Sequence, residues 1–203
     1  MAMQVIKGRV YVGNGMLHVA GVEEDSAENY TVKDNMIFLE GSMVSGNFSL
    51  AATQNPFFAD DGLQEVDASF SPTASITYAG DSRELDETMF GLVSSGGAML
   101  DNLGALPEIT LFWSQRQANN QFVIIHIPRC TATKDSVDVS TKTDTTTFTP
   151  ATATITPLKS NHFNTYFRRI YSTDPGVAGK SEAEVIAILR KDPGHVFTET
   201  QEA

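Results

Sequence analysis

The sequence predicts a mainly β protein with two short helices. Short runs rich in valine, isoleucine, threonine and aromatic residues alternate with glycine, asparagine, aspartate and proline, which is the pattern of strands separated by turns. Two other segments have the apolar spacing and the terminal residues of amphipathic helices. With 203 residues, 41% of them hydrophobic, the chain is long enough for one domain with a substantial core.

Ten segments are predicted to form strands, because each is apolar or alternating and is bounded by turn residues. They are Lys7–Val12, Met16–Val22, Asn35–Leu39, Ser42–Ala52, Gln64–Phe70, Ala74–Tyr78, Glu108–Gln115, Gln121–Ile127, Ser136–Thr141 and Asp144–Thr156. The glycines Gly13 and Gly15 predict a tight hairpin turn between the first two strands. The threonine-rich stretch around the last two is interpreted as strands with a polar face.

The clearest hairpin runs through ITLFWSQRQANNQFVIIHIP, with its turn at Ala118–Gln121. In the second arm, the even-numbered residues from Phe122 to His126 share one face, and the odd-numbered residues from Val123 to Ile127 share the other. Both faces are apolar, so this arm is expected to be buried on both sides. It would then lie between a core and either a helix or a neighbouring subunit.

The first predicted helix lies in GDSRELDETMFGLVSSGG. Asp81 or Ser82 is expected to cap its start, and acidic residues in its first turn favour the positive end of the helix dipole. An apolar stripe from Leu85 to Val93 predicts one buried face. Gly96 and the glycine after it are expected to end the helix.

The second predicted helix lies in KSEAEVIAILRKDPG. Ser181 and Glu184 have the spacing of a capping box, in which each side chain bonds to the backbone of the other residue. Arg190 and Lys191 suit the negative end of the helix, and Asp192-Pro193-Gly194 is expected to end it.

Charge and composition exclude several classes of function. The formal net charge is −11 and the pI is about 4.7, so the chain lacks the clustered basic residues of a nucleic-acid-binding protein. Residues 1–108 contain 16 acidic and 4 basic residues, whereas residues 109–203 contain 9 and 10. The start lacks the apolar stretch of a signal peptide, and no run is long enough to span a membrane. We therefore expect a soluble protein made in the cytoplasm.

Residues with catalytic or metal-binding chemistry form no recognisable constellation. Asp60-Asp61-Gly62, in NPFFADDGLQE, has part of a calcium-loop pattern but lacks its alternating ligands, so it is interpreted as a turn. The four histidines are widely spaced, and no nucleophile, phosphate-loop or dinucleotide motif is present. Cys130, the single cysteine, is interpreted as a core or strand-end residue. The sequence predicts no catalytic residue, metal ligand or cofactor.

Three other side chains are candidates for contact with a partner. Trp113 lies in an apolar strand and is interpreted as a core residue or an interface anchor rather than a platform for a ligand. Arg168 and Arg169, in FRRIY, suit a phosphate or a carboxylate, and we favour an acidic surface of another copy.

The order of features resembles the major tail proteins of long-tailed bacteriophages, which are the subunits of the tail tube. The resemblance covers Val44 to Pro175. It rests on FFADDG, the acidic strand LQEVDASF, the strand ASITYAGD, the helix RELDETMFGL, the turn ANNQ and the stretch TKTDTTTFTPATATI. The aromatic-Ala-Asp-Asp-Gly with a following glutamate, and Thr-Lys-x-Asp before a threonine-rich strand, are its most specific parts.

The resemblance implies a tail-tube fold, in which two packed antiparallel sheets form a sandwich or partly open barrel. A helix flanks the sheets, and a short C-terminal helix follows. We expect the chain to divide into N-terminal strands or an arm (1–40), the tail-tube β-sandwich domain (41–173) and a C-terminal helix and tail (174–203). The resemblance further implies a virion protein without enzymatic activity that forms stacked hexameric rings. Its expected partners are the tape measure protein, the tail terminator and tip proteins, and duplex DNA passing through without tight binding.

Candidate sites follow from this resemblance. Acidic residues of the first half are expected to line the channel, since a basic wall would retain DNA; the lumen-facing candidates are Glu65, Asp67, Ser69 and Asp138. The subunit-interface candidates are Phe57, Phe58, Asp60, Asp61, Trp113, Arg168 and Arg169. The alternative function is a β-sandwich adhesin or carbohydrate-binding module, and an enzyme with a cleft of perturbed carboxylates comes third.

Overall fold

A computed structural model describes residues 11–33, 36–39, 43–59, 62–79, 82–96, 98–100, 104–135 and 150–198. Over these residues the protein is mainly β. In chain order the elements are β1 (Tyr11–Asp25), β2 (Tyr30–Val32), β3 (Ile37–Leu39), β4 (Met43–Ala59), β5 (Gly62–Tyr78), α1 (Arg83–Phe90), β6 (Val93–Ser95), β7 (Ala98–Leu100), β8 (Ile109–Gln117), β9 (Phe122–Lys134), β10 (Ala151–Pro157), β11 (Arg168–Tyr171) and α2 (Glu182–Lys191). Most of the predicted strand Lys7–Val12, and all of Ser136–Thr141, lie outside the described residues.

Nine of these strands form one antiparallel, hydrogen-bonded sheet in the order β2-β1-β8-β9-β10-β5-β4. In addition, β3 pairs with β1 and β11 pairs with β9, while β6 and β7 form a separate hairpin. The predicted fold class, mainly β and antiparallel with flanking helices, is confirmed. Among the described strands the sheet does not close, because β4 pairs only with β5.

The sheet curls so that its two ends face each other across a core. This first core contains Leu17 of β1 and Trp113 of β8 together with Ile76 of β5 and Ile155 of β10, all buried. At the gap between the ends, Asn14 Nδ2 donates a hydrogen bond to the carbonyl oxygen of Val44 across 3.2 Å. A single sheet therefore supplies both packed layers, in the form of a partly open barrel.

The central hairpin of β8 and β9 is buried on both faces, as predicted. Val123 and Ile125 point into the first core, which α1 also covers. Phe122 and Ile124 point into a second core, where Val185 and Leu189 of α2 pack against them. The second face of β9 is thus covered by α2, a helix of the same chain. Of the two alternatives predicted from the sequence, a helix or a neighbouring subunit, the structure shows the helix.

The predicted first hairpin at Gly13–Gly15 is wrong. β1 continues through these glycines, and its pairing with β8 is instead irregular between Tyr11 and Gly13 and between Asn14 and Leu17. Glycine permits a bulge as readily as a turn. Because β8 pairs with β1 both before and after these glycines, they form irregularities within the strand rather than a turn. β1 therefore lies within the sheet and contributes Leu17 to the core.

Helix α1 is shorter than predicted. Ser82 caps it by accepting a hydrogen bond from the backbone N–H of Leu85 at 3.1 Å. The helix ends at Phe90 because Gly91 adopts a left-handed conformation, with φ of 69°. The expected stop at Gly96 is instead the turn of the β6–β7 hairpin, so Val93 lies on a strand and is 49% exposed.

Helix α2 matches its prediction closely. Ser181 Oγ accepts from the N–H of Glu184, and Glu184 Oε2 accepts from the N–H of Ser181 at 2.7 Å. These bonds hold the pKa of Glu184 below its ordinary value. Val185 and Leu189 are buried against the central hairpin, so the helix belongs to the main body of the fold.

Two predicted strands, Gln64–Phe70 and Ala74–Tyr78, are one strand, β5. Pro72 lies between them and pairs with Leu50 of β4. One edge of β5 pairs with β4, and β10 pairs with the other edge only over residues 74–78. At Pro72 this other edge therefore has no partner among the described strands. An open edge is where a strand tolerates proline, which removes a backbone donor.

Candidate functional site

A long two-stranded arm extends from the sheet. β4 and β5 pair from Met43 and Tyr78 as far as Ala59 and Gly62. Because β10 pairs with β5 only over residues 74–78, residues 49–59 and 62–73 pair only with each other among the described strands. We call these residues the hairpin arm. At ~3.3 Å per residue, the eleven residues of its first strand span about 36 Å.

The hairpin arm has open edges. Neither the outer edge of β4 nor the edge of β5 over residues 62–73 is paired with another described strand. An isolated two-stranded hairpin is only marginally stable in water, and an open edge presents unpaired N–H and C=O groups to other chains. The arm is therefore suited to pairing with another protein chain.

The base of the arm is anchored in the first core. Met43 is 8% exposed, and the rings of Phe48 and Phe167 lie with their centroids 4.0 Å apart. Gly46 packs against Trp113 so closely that an added Cβ would lie 3.0 Å from Cζ2 of the indole. The arm consequently leaves the body of the protein from a fixed point.

All charged residues of the arm and its base are acidic. Residues 43–78 contain four acidic residues and no lysine or arginine; the acidic residues are Asp60, Asp61, Glu65 and Asp67. Such a segment repels phosphate and attracts cationic surfaces.

The structure places several sequence candidates on the arm. Phe57 pairs with Glu65, Asn55 with Asp67 and Thr53 with Ser69, and Phe58 follows in β4. Strand periodicity puts Glu65, Asp67 and Ser69 on one face. β4 continues to Ala59 and β5 begins at Gly62, so both strands extend beyond the predicted ends at Ala52 and Gln64. Asp60, Asp61 and Asp138 lie outside the described residues.

Trp113, the interface candidate in β8, is a core residue of this chain. Its side chain is 1% exposed and lies in the first core beside Gly46. In this conformation the indole offers no surface to a neighbouring chain, so of the two interpretations, core or interface anchor, the structure supports the core.

The two remaining candidates, Arg168 and Arg169, line a groove beside the edge strand β11. We call it the arginine groove; its volume is about 310 Å³, and its walls include Phe163, Arg168, Arg169, Ile170, Val196 and Phe197. Arg168 is held in place: its guanidinium lies 4.2 Å from the ring centroid of Phe163, and Nη2 donates to the carbonyl oxygen of His195 at 2.7 Å. Burial lowers the pKa of Arg168 to about 10.

Arg169 is the exposed cation of this groove. Its guanidinium lies 5.3 Å from the ring centroid of Phe167, which also touches the base of the hairpin arm through Phe48. Asp174, the acidic lining residue, accepts a hydrogen bond from the N–H of Tyr171 at 2.8 Å. The groove thus combines apolar walls with one fixed and one exposed arginine.

A buried carboxylate that sequence reasoning missed fixes the loop beside this groove. Asp25, at the end of β1, accepts from Ser160 Oγ at 2.9 Å and from the N–H groups of Asn161 and His162 at 3.0 Å. Arg129 lies 3.7 Å from the same carboxylate. These groups are more than 100 residues apart in sequence, so no local motif could have revealed them.

Two buried histidines contact the same ring, Phe112. His18 stacks on it with centroids 4.5 Å apart, and His126 meets its edge at 5.9 Å. Burial, reinforced by Arg190, lowers the pKa of His18 to about 4, and burial together with Arg168 holds the pKa of His126 well below its ordinary value. Both rings are therefore neutral near pH 7 and act as packing groups.

Two kinds of reactive group, metal-ligand clusters and the cysteine thiol, can be assessed in the described part of the chain. Within it, no three His, Cys, Asp or Glu side chains are placed to hold a metal ion. Cys130 is fully buried, and its Sγ donates to the carbonyl oxygen of Ile109 at 3.4 Å. Burial raises the pKa of this thiol, so the thiolate needed for nucleophilic chemistry is disfavoured.

A cavity of about 610 Å³ lies between α2 and β1, and its charged lining residues are Arg116, Glu182 and Arg190. Glu182 accepts hydrogen bonds from Ser114 Oγ at 2.5 Å and from Arg116 Nε at 2.8 Å. These two bonds join the helix to the central hairpin.

None of the described helices is long and apolar enough to cross a membrane. A scan of the chain against models of protein families finds no match, and a search of curated proteins finds no similar sequence.

Proposed function

We propose that the protein is a structural subunit that assembles with copies of itself into stacked rings, forming the tail tube of a long-tailed bacteriophage. The observation that carries the proposal is the hairpin arm, which is anchored in the core and whose outer edges pair with no other described strand. A monomeric protein gains nothing from so long an unpaired edge and risks aggregation by keeping it. When subunits pair through these edges, the unpaired N–H and C=O groups form hydrogen bonds between subunits and no longer favour aggregation.

Ring formation and stacking follow from the kind of contact. An arm that pairs with a different surface on the next copy makes a head-to-tail contact, which closes into a ring or continues as a filament. The partly open barrel supports the same reading, because its end strands have no second partner among the strands that the structure describes and can pair in the ring. The resemblance in sequence supplies the expected number of copies, six, and the virion tail as the location.

The charge distribution supports a conduit for DNA. Duplex DNA carries one phosphate charge per roughly 1.7 Å of its axis, so a basic channel would bind it along its whole length. The chain is acidic, and Glu65, Asp67, Ser69 and Asp138 remain the candidates for the channel wall. Screening over roughly 8 Å at physiological salt limits the repulsion to DNA near the wall. In this proposal DNA, the tape measure protein and the terminator and tip proteins are partners, and the subunit performs no catalysis.

The alternative is a monomeric adhesin or carbohydrate-binding module. Such a module binds sugars on an exposed aromatic platform. Among the residues whose side-chain exposure the structure describes, which exclude 52–70, the exposed large hydrophobic side chains are aliphatic: Val44, Val93, Leu100, Leu106 and Val196.

Electron microscopy of the purified protein, stained and imaged over a range of concentrations, tests the proposal. Rings or hollow filaments are expected, alone or after addition of isolated tail tips as initiators. A variant in which residues 54–68 are replaced by a two-residue Asn-Gly turn, so that the paired residues Thr53 and Ser69 flank the turn, should fold and stay monomeric, while deletion of residues 199–203 serves as the control. A wild-type protein that remains monomeric with and without tail tips, and binds a glycan, would contradict the proposal.

A further inference from the structure

We infer that the arginine groove is the docking site for the hairpin arm of a second copy, with Arg169 pairing with carboxylates at the far end of that arm. This inference rests on the proposed function and names the two surfaces that would meet in it.

The groove has the chemistry of a receptor for an acidic and aromatic segment. Arg169 is exposed, whereas Arg168 is fixed by Phe163 and by the carbonyl oxygen of His195. A guanidinium donates two parallel hydrogen bonds to a carboxylate, and the ring of Phe167, 5.3 Å from the guanidinium of Arg169, restricts this side chain before binding. Ile170, Val196 and Phe197 supply apolar wall beside these charges, and Val196 is 57% exposed.

The hairpin arm has the complementary composition. It contains no lysine or arginine, and the connection at its far end, between Ala59 and Gly62, has the sequence Asp60-Asp61. Phe57 and Phe58 directly precede this connection in the sequence. An acidic and aromatic segment of this kind is complementary to an apolar groove that contains arginine. The carboxylates attract the guanidinium, and the apolar side chains of both surfaces are buried on binding.

Backbone pairing offers a second source of affinity. β11 pairs with β9 on one side and with no second described strand on the other, and the outer edge of β4 is open in the same sense. Adding an extended strand to an open edge supplies main-chain hydrogen bonds, while side chains set the specificity. The groove beside β11 is therefore placed where an incoming strand and its carboxylates can be bound together.

A charge exchange tests the inference. Arg169→Glu should raise the protein concentration needed for assembly by about tenfold or more, and Asp60→Lys/Asp61→Lys should do the same. Carrying all three substitutions in one chain should restore assembly, because the charges are again opposite. Lys180→Glu is the control for the groove, being an exposed cation that does not line it. Glu65→Lys/Asp67→Lys is the control for the arm, since it changes the charge by the same amount at residues assigned to the channel.

Sedimentation and electron microscopy give the readout, with thermal melting to verify that each variant folds. Normal assembly of Arg169→Glu, or failure of the triple variant to recover, overturns the docking site and leaves the proposed tube standing. A wild-type chain that never assembles overturns both. Binding of a duplex DNA probe that Arg169→Glu abolishes would identify a different occupant and also overturn the docking site.

Discussion

The hydroxyl of Ser114 donates a hydrogen bond to Oε1 of Glu182 across 2.5 Å, and this bond joins the central hairpin to the first turn of the C-terminal helix. The residues are 68 positions apart, and Ser114 is completely buried. The second carboxylate oxygen accepts from Arg116. The helix is thus positioned by a polar contact at its start as well as by its apolar face.

Replacing Glu182 should loosen the C-terminal helix. Glu182→Ala leaves the buried Ser114 hydroxyl without this acceptor, which costs about 1–3 kcal/mol of unfolding free energy. The pair with Arg116 adds little, because the arginine side chain is 65% exposed. Chemical denaturation measures the loss, and hydrogen exchange should show it concentrated in residues 182–191. Glu87→Ala, which removes an exposed glutamate of α1, should leave both measurements unchanged; equal effects of the two variants would refute the role of Glu182.

The same contact explains a requirement for glycine in β1. A Cβ added at Gly15 would lie 2.0 Å from Ser114 Oγ and 3.2 Å from Glu182 Oε1. Gly15→Ala should therefore displace the serine and destabilise the fold by about 1–3 kcal/mol. Gly13→Ala is the matched control, because an added Cβ there meets nothing within 4 Å. A melting temperature of Gly15→Ala equal to that of Gly13→Ala would contradict this account.

Stability should fall as the pH is lowered from about 6.5 towards 4. His18 has a pKa of about 4 in the folded protein and an ordinary value of 6.5 when unfolded, so in this window the unfolded chain binds a proton that the folded chain excludes. The expected loss from His18 is about 3 kcal/mol. His126 acts in the same direction, since its pKa is also lowered.

Denaturation curves at several pH values measure this dependence. His18→Phe keeps an aromatic ring against Phe112 and should make the dependence on pH shallower. His195→Gln, which changes a partly exposed histidine, should leave the slope as it is. A slope that His18→Phe does not alter would show that other groups control acid stability.

Channel charge is tested by the lumen candidates. Within the proposed function, Glu65→Lys/Asp67→Lys should leave tubes assembled, while cationic side chains retain passing DNA and slow its ejection. Phage carrying the variant would be assayed for DNA release at low and high salt, with Glu65→Gln/Asp67→Gln as a control that removes charge without reversing it. Ejection at the wild-type rate in both salts would exclude a channel role for these residues.

Local sequence rules predicted the parts of the fold that local physics controls. The capping box of Ser181 and Glu184 and the period-two burial of the central hairpin both depend on residues close in sequence, and the structure agrees with each. Glycine was the main source of error. Gly15 forms a bulge against Ser114, and Gly91 ends α1 early, because in each case the neighbouring structure decides how the glycine is used.

The candidate site was predicted only in part. The acidity of the arm and the pair of arginines are visible in sequence, but the length of the open hairpin depends on where β10 stops pairing, at residue 74. The anchoring of Asp25 to the loop at 160–162 depends on contacts across more than 100 residues. Neither can be obtained from spacing or composition.

The burial of the single cysteine makes this protein a convenient scaffold for chemical labelling. The thiol of Cys130 is inaccessible and its reactive form is disfavoured, so maleimide dyes should ignore the folded wild-type chain. A cysteine introduced at exposed Lys180 would then be the sole reactive position on each copy. In an assembled tube, such a label would repeat once per subunit along the wall, giving a regular array of attached molecules.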